Sequence, residues 1–359
     1  MVIGVPKEIK TQEYRVGMTP SGVEELKSDG HIVLVEARAG DGSGFPDAQY
    51  LKAGANITDR NSLFSESELI VKVKEPLPAE YNLLKEGRAL FAYLHLAANR
   101  ELTELLLRKR ITSLAYETLQ KDGALPLLQP MSEIAGRMAP LVGAYYLQKP
   151  HGGTGVLPMG VAGVKPAKAV ILGAGTVGFN AARVCIGLEM DTVVANKSVS
   201  RLERLNEFFS GRVKTVSLSD TNIRNEIQDA DIVVGAVLVP GGKTPLLITL
   251  EMLGLMKKGA IIVDVSVDQG GCVETAKPTT HDDPVYTIDG IVHYMVANMP
   301  GAYPRTSTLA LTNATLPYIK TIASLGIGEA TNKDTALTSA LNTHKGRIAH
   351  EELARTFTG

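Results

Sequence analysis

The 359-residue sequence predicts an α/β protein made of two doubly wound parallel-sheet domains, one of them discontinuous. Three observations lead there. Short apolar runs alternate with segments of helical spacing along most of the chain, which is the pattern of βαβ units. A glycine-rich turn near mid-chain stands between a buried-strand run and a helical run. The length suits two or three domains of about 150 residues.

The composition supports an ordinary globular enzyme, with 44% hydrophobic and 21% charged residues. Thirty-seven Lys plus Arg against 38 Asp plus Glu leave a formal charge of −1. Balanced charge with plentiful apolar residues excludes disorder as the dominant state. No basic excess exists to neutralise a phosphate backbone, so no nucleic-acid partner is expected. No run of about 18 apolar residues marks a membrane span. The first residues, Met1 to Glu8, lack the basic-then-apolar pattern of a secretory signal. Cys185 and Cys272 are too few for a disulfide scaffold and lack zinc-site spacing. A reduced, cytoplasmic protein with no bound metal is expected, and Cys272 reads as packing or as part of a cofactor wall rather than as a nucleophile.

The elements follow in chain order. Residues 32–36 read as a buried strand after the Asp29-Gly30 turn, and 69–74 as the next, stopped by Glu75-Pro76. Residues 89–95 and 111–117 read as a third and a fourth strand, with helical spacing over 100–110 between them. Residues 131–148 read as one long helix, Ser132 being its cap or a first-turn residue. A glycine-rich stretch over 151–163 leads to a second strand series at 169–172, 192–195, 232–236 and 261–265. Helical spacing returns over 307–325, and 331–359 read as one or two surface helices. These last helices have no sheet of their own, so they are expected to rejoin the first domain. The expected domains are 1–128 plus 305–359, and 129–304 with the long helix at its start.

The strand 169–172 runs directly into Gly173-Ala174-Gly175-Thr176-Val177-Gly178, and a helical stretch follows. This is G-x-G-x-x-G in the context that a dinucleotide requires. Gly173 permits the tight turn, Gly175 lets the backbone approach a pyrophosphate, and Gly178 lets helix and strand pack closely. The free N–H groups of the helix start face the phosphates. This domain is therefore expected to be Rossmann-like and to bind NAD(H) or NADP(H). The next strand ends at Asn196, where an NAD site usually has Asp or Glu to accept from the adenosine ribose. Asn keeps the hydrogen bonding and loses the charge. Two unit charges at about 4 Å and an effective dielectric near 20 interact by roughly 4 kcal/mol. Removing that repulsion opens the site to a 2′-phosphate, which Lys197, Ser198 and Arg201 would suit; the alternative is a polar loop with solvated cations.

Several motifs together resemble one family. They are Val5-Pro6-Lys7-Glu8, Tyr14-Arg15-Val16, Thr19-Pro20, the run from Val71 to Pro76, Tyr93-Leu94-His95-Leu96-Ala97, the glycines at 160 and 163, the run from Val263 to Cys272, and Asn298-Met299-Pro300-Gly301. Over essentially the whole chain the sequence is similar to the alanine dehydrogenases and the transhydrogenase α subunit. The resemblance implies conversion of L-alanine, water and oxidised cofactor to pyruvate, ammonium and reduced cofactor, by a homo-hexamer with a second Rossmann-like, discontinuous catalytic domain. It implies that Arg15 clamps the substrate carboxylate, that Lys74 holds the carboxylate or the carbonyl oxygen, that His95 is the general acid/base, and that Asp268 assists it and orients the water or amine. Apart from the family, Arg15 reads as an ion-pair partner, Lys74 as a solvated strand end, His95 equally as a buried hydrogen-bonded histidine, and Asp268 as a turn former before Gly270-Gly271.

The resemblance further implies cofactor contacts from Thr176 and Val177 in the turn, and from Asn196 and Arg201 at the adenosine end. Met131 and Ser132, Val237 and Leu238, Val265, Ser266 and Val267, and Val296, Ala297, Asn298 and Met299 would complete them. The family typically shows Asp, an apolar residue and Asn where this chain has Asn196, Lys197 and Ser198. It tends to carry a serine where Leu218 stands, with Ser219 adjacent as a substitute. A competing reading is the soluble NAD(H)-binding component of a proton-translocating transhydrogenase, which needs no carboxylate clamp. A dehydrogenase for a larger amino acid and a non-catalytic Rossmann regulator are further alternatives.

Overall fold

The first strand of the first sheet, paired on both sides, is one that hydrophobic patterning alone does not announce. In the computed structural model, which describes residues 1–237 and 244–358, the chain divides into two compact units, residues 1–131 with 303–359 and residues 132–302. The first unit starts with β1 (Val2–Val5), a four-residue strand interrupted by Gly4. A Cβ at Gly4 would run into Ser67 Oγ and the Leu63 side chain, so glycine lets a helix lie directly on the strand. The unit continues with α1 (Pro20–Ser28), β2 (Ile32–Glu36), α2 (Asp47–Lys52), β3 (Asn56–Thr58), α3 (Arg60–Glu66), β4 (Leu69–Val71), β5 (Ala89–Ala92), α4 (Arg100–Arg108) and β6 (Thr112–Ala115). These six strands pair in parallel in the order β3-β2-β1-β4-β5-β6.

Helix α5 (Gln129–Tyr146) leads into the second unit. There follow β7 (Lys168–Leu172), α6 (Thr176–Gly187), β8 (Asp191–Asn196), α7 (Val199–Phe208), β9 (Lys214–Ser217), α8 (Asp220–Ile227), β10 (Ile232–Gly235), α9 (Leu250–Leu253), β11 (Ile261–Asp264), β12 (Val285–Ile288) and β13 (Ile291–Tyr294). The sheet order is β12-β13-β11-β10-β7-β8-β9, with only β12 antiparallel. Its central strands are unbroken apolar runs because both faces are covered. Ala169 and Ile171 enter one core, Val170 and Leu172 the other.

The chain then returns to the first unit through α10 (Pro304–Leu325), α11 (Ile327–Lys333) and α12 (Thr335–Ala340). Here the expected helices-only tail is corrected. Strands β14 (Leu341–His344) and β15 (Arg347–Ile348) form a hairpin that extends the first sheet beyond β6, and α13 (Glu351–Thr358) follows. The hairpin turns on Lys345 and Gly346, both at positive φ. It escapes pattern reading because its strands are short and polar. Thr343 is buried through hydrogen bonds to Ser113 Oγ at 2.8 Å and the Ile111 carbonyl at 2.9 Å, and the Asn342 amide donates to Thr118 Oγ1 at 2.8 Å.

The other expected strands and helices are present with shifted ends. The strand expected over 69–74 stops at Val71, and that over 89–95 stops at Ala92. The long helix begins at Gln129, which makes Ser132 a first-turn residue. In both units the first five strands run in the order 3-2-1-4-5, so each sheet has a crevice where the winding reverses, beyond β1 and β4 in one and β7 and β10 in the other.

Candidate active site

In the first unit the chain beyond β1 cannot continue as a strand, because Pro6 has no N–H to donate. It forms an irregular segment that carries Arg15. This arginine is buried and held by Glu13, whose two carboxylate oxygens accept from Nε and Nη2 at 2.6 Å each. Nη1 donates to Met131 Sδ at 3.1 Å. Burial pulls the guanidinium pKa down, but the charge and hydrogen bonds of Glu13 outweigh that and hold it above its ordinary value. An open cleft of ≈ 340 Å³ in this unit has Glu13 and Arg15 in its lining.

Lys74 stands three residues past β4. Its backbone N–H donates to Glu8 Oε1 at 3.3 Å. Its ammonium forms no ion pair within 4.0 Å among the described residues. Burial first and Arg15 second push its pKa below the ordinary lysine value. Lys74 follows β4 and Arg15 lies on the segment after its parallel neighbour β1, so the loops at one sheet crevice carry both cations.

His95 lies beyond β5 and is exposed in a left-handed conformation, φ 49° and ψ 40°. A non-glycine residue there carries strain that the surroundings must hold. Glu117, just past β6, supplies the hold: its carboxylate accepts the N–H of His95 at 2.6 Å and that of Leu94 at 3.1 Å. The Tyr93 ring lies parallel to the imidazole with centroids 6.4 Å apart, and its hydroxyl is fixed on the Leu127 carbonyl at 2.6 Å. Strand β5 runs parallel to β4 and β1, which puts His95 at the same end of the sheet.

In the second unit the glycine turn has the form its sequence calls for. Gly173 has φ 121°, and a Cβ there would meet the Ala236 carbonyl. A Cβ at Gly178 would collide with the Gly173 carbonyl, whereas at Gly175 it would meet open space. Gly175 is the N-cap of α6, so Thr176, Val177 and Gly178 present free N–H groups toward that space. A dinucleotide pyrophosphate fits this cradle.

At the end of β8, Asn196 is turned back on the turn. Its Oδ1 accepts from the Ala174 N–H at 3.2 Å and its amide donates to the Ser198 carbonyl at 3.2 Å. Ser198 caps α7 by accepting the Arg201 N–H at 3.4 Å. The side chains of Lys197 and Arg201 are exposed, with no ion pair among the described residues. Ser219 is committed as the cap of α8, accepting from Asn222 at 3.2 Å.

Asp268 sits exposed in a single 3-10 turn, Val267–Gln269, and accepts the Asn298 N–H at a long 3.4 Å. The loop that carries it is pinned by Asp264, a buried carboxylate that accepts from Ser266 N–H at 2.9 Å and Cys272 N–H at 2.7 Å. Burial raises the Asp264 pKa more than those bonds lower it. The Ser266 hydroxyl donates to the Val237 carbonyl at 2.7 Å, joining the loops after β10 and β11. Val267, Val296 and Met299 are buried, Val265 and Ala297 are half-buried, and Asn298 is half-buried at φ 63°. Leu238 lies outside the described residues. Cys272 is buried, and burial with Asp264 beside it raises the thiol pKa well above its ordinary value.

Pattern reading missed Glu8, Glu13, Glu117 and Asp264. All four carry negative charge from loops or strand ends onto backbone N–H groups or a cation. Only the presence of acids among otherwise apolar runs signals them. No cluster of three or more metal-ligating side chains and no helix long and apolar enough to cross a membrane occur among the described residues.

A family model described as alanine dehydrogenase/PNT, N-terminal domain, matches residues 4–135, and one described as alanine dehydrogenase/PNT, C-terminal domain, matches 139–351. The chain belongs to the alanine dehydrogenase/PNT family. The alanine dehydrogenase of Staphylococcus haemolyticus is 50% identical over 359 residues, covering 99% of this chain and 96% of the relative. A solved L-alanine dehydrogenase superposes with a TM-score of 0.97 at 48% identity, covering 100% of this chain and 99% of its own. The transhydrogenase of Sinorhizobium meliloti superposes with 0.84 at 26% identity, covering 98% and 99%. Within the alanine dehydrogenase/PNT family this chain is thus nearer to the former kind of member.

Proposed function

We propose that this chain is an alanine dehydrogenase, catalysing the reversible conversion of L-alanine, water and NAD(P) to pyruvate, ammonium and reduced cofactor. The observation that carries the reading is the pair Arg15 and Lys74 at one sheet crevice, a site prepared for a small carboxylate. A transhydrogenase component has no use for it.

Arg15 and Lys74 bind the substrate carboxylate. Glu13 takes the Nε–Nη2 edge of the guanidinium, so the carboxylate meets Arg15 on the Nη1 side, where Met131 Sδ lies. Such a charge-assisted bond contributes about 1.5–3 kcal/mol. His95 moves the proton: it accepts one from the water that adds at the reacting carbon and returns one to the departing amine. Asp268 orients the water or amine and offsets the positive charge that develops on the substrate nitrogen. The nicotinamide, when bound at the glycine turn, supplies the acceptor or donor of hydride.

The cofactor reading is dual, NAD(H) and NADP(H). Asn196 removes the carboxylate that repels a 2′-phosphate, and Lys197 and Arg201 stand exposed beside it. In the same reading the protein is a cytoplasmic homo-hexamer, which light scattering of the purified enzyme checks. The deciding experiment follows loss of reduced-nicotinamide absorbance with pyruvate and ammonium, in parallel with NADH and NADPH. Loss with both supports the enzyme and the dual reading. Loss with NADH alone keeps the enzyme and removes the role given to Asn196. No loss with either overturns the proposed activity.

A further inference from the structure

The first crevice holds more charge than substrate binding accounts for. Lys72 is fully buried, yet it lies between two carboxylates, Glu80 Oε1 at 2.8 Å and Glu8 Oε2 at 3.2 Å. Glu80 reaches on to accept the Leu77 N–H at 3.0 Å. Glu8 Oε1 accepts the Val73 N–H at 2.6 Å and the Lys74 N–H at 3.3 Å. Buried ion pairs are weak evidence of stability, because apolar replacements of both partners are often as stable or more so. Their retention beside the site calls for a geometric reason.

The ladder between β1 and β4 supplies one. Its paired positions end at Gly4 with Ile70, and one residue past β1 the chain reaches Pro6, which cannot donate to a ladder. Beyond that point Val73 and Lys74 have backbone donors with no strand opposite. The Glu8 carboxylate stands in for the strand. It comes from the same irregular segment that carries Glu13 and Arg15, so one side chain joins the Arg15 segment to the backbone of Lys74. We infer that Glu8 is a positioning residue that sets the spacing of the Arg15 and Lys74 cations, with Lys72 orienting its carboxylate, and so sets affinity for the substrate carboxylate.

The residue type follows from the bonding. Glu8 must accept at both oxygens, from two backbone N–H groups at one and an ammonium at the other. A glutamine can accept at only one and would turn its amide donors toward Lys72. The inference rests on the reading of Arg15 and Lys74 as the carboxylate site, and the test separates the two.

The test compares Glu8→Gln, the double variant Glu8→Gln with Lys72→Met, and Lys74→Met. The readouts are KM for pyruvate, kcat, and NADH affinity by fluorescence. In Glu8→Gln, KM for pyruvate rises about tenfold while kcat and NADH affinity stay within about twofold, the split expected of lost ground-state positioning. In the double variant the opposing ammonium is gone, the amide oxygen can again take the Val73 and Lys74 donors, and KM returns toward the parent value. Unchanged KM in Glu8→Gln overturns the inference. So does a KM defect that the double variant does not relieve, a proportional loss of NADH affinity and kcat, or failure of both variants to fold, each of which assigns Glu8 to stability alone. Unchanged KM in Lys74→Met instead overturns the carboxylate site itself.

Discussion

The two units share a strand order and differ in what they place at the crevice. Beyond β7 and β10 the second unit offers glycine, open space and backbone N–H groups. Beyond β1 and β4 the first offers two cations, the buried Arg15 braced by Glu13 and the half-buried Lys74, whose backbone N–H is held by Glu8. The difference follows from ligand size. A dinucleotide spreads its charge over a long pyrophosphate, and a helix start with room around it can meet that charge without side chains. A three-carbon acid presents one carboxylate. Its recognition requires point charges held at a fixed spacing, and long flexible cations hold one only when something else ties them down. On the proposed reading the same topology serves two ligands by exchanging backbone for braced side chains.

The comparison breaks most severely at the acid–base groups. His95→Ala or Asp268→Ala is expected to lower kcat by about 10²–10⁴-fold, with NADH affinity intact by fluorescence titration. Substantial turnover in either variant removes that residue from the chemistry.

Next is Lys74→Met, expected to raise KM for pyruvate about 10- to 100-fold with NADH affinity unchanged. Lys74 also gives a pH signature. Its pKa is lowered by burial and by Arg15, and only the protonated form attracts a carboxylate. Pyruvate affinity of the enzyme–NADH complex is therefore full below that lowered pKa and falls as pH rises through it, before the ordinary lysine value of 10.5 is reached. A parent enzyme whose pyruvate affinity is flat up to that pH, or a Lys74→Met variant that keeps the decline, contradicts this assignment.

Asn196→Asp probes the other unit. It is expected to shift preference from NADPH toward NADH at least about tenfold, since the restored charge repels a 2′-phosphate. KM for pyruvate is expected to hold. An unchanged cofactor ratio means that the end of β8 does not read the ribose. The smallest effect belongs to Cys272→Ala. The buried thiol packs and leans on Asp264, so kcat is expected to change less than threefold while Tm falls by a few degrees, as for a loss of about 1 kcal/mol. A complete loss of activity reopens a chemical role for the thiol.

The candidate site was legible to different depths in the two units. The glycine turn is local: three glycines, a preceding strand and a following helix stand together in sequence, and each glycine meets the neighbour or the open space its motif requires. Asn196 was legible for the same reason, since it ends the next strand. Arg15, Lys74 and His95 were visible only through family motifs, because as single residues Arg15 reads as a surface ion-pair partner, Lys74 as a solvated strand end, and His95 equally as a buried histidine. Their braces were not visible at all. Glu8 and Glu13 precede the groups they hold or lie across the sheet from them, and Glu117 follows His95 by 22 residues. No periodicity marks a carboxylate that bonds to a backbone N–H on another strand. The β14–β15 hairpin was hidden likewise, since its buried threonine and asparagine are satisfied by partners some 220 to 230 positions away.

By itself the sequence determined the α/β class, the dinucleotide turn and the family, because these are written in local spacing and in motifs read within a few residues. Tertiary structure alone decided which acids answer which cations, how far the tail extends the first sheet, and that Lys74 stands half-buried at the crevice of Arg15 without an ion pair of its own. The physical reason is the range of the forces. Turn chemistry and hydrophobic period act between near neighbours in the chain. Desolvation and charge pairing act between neighbours in space, and only the folded sheet brings those together.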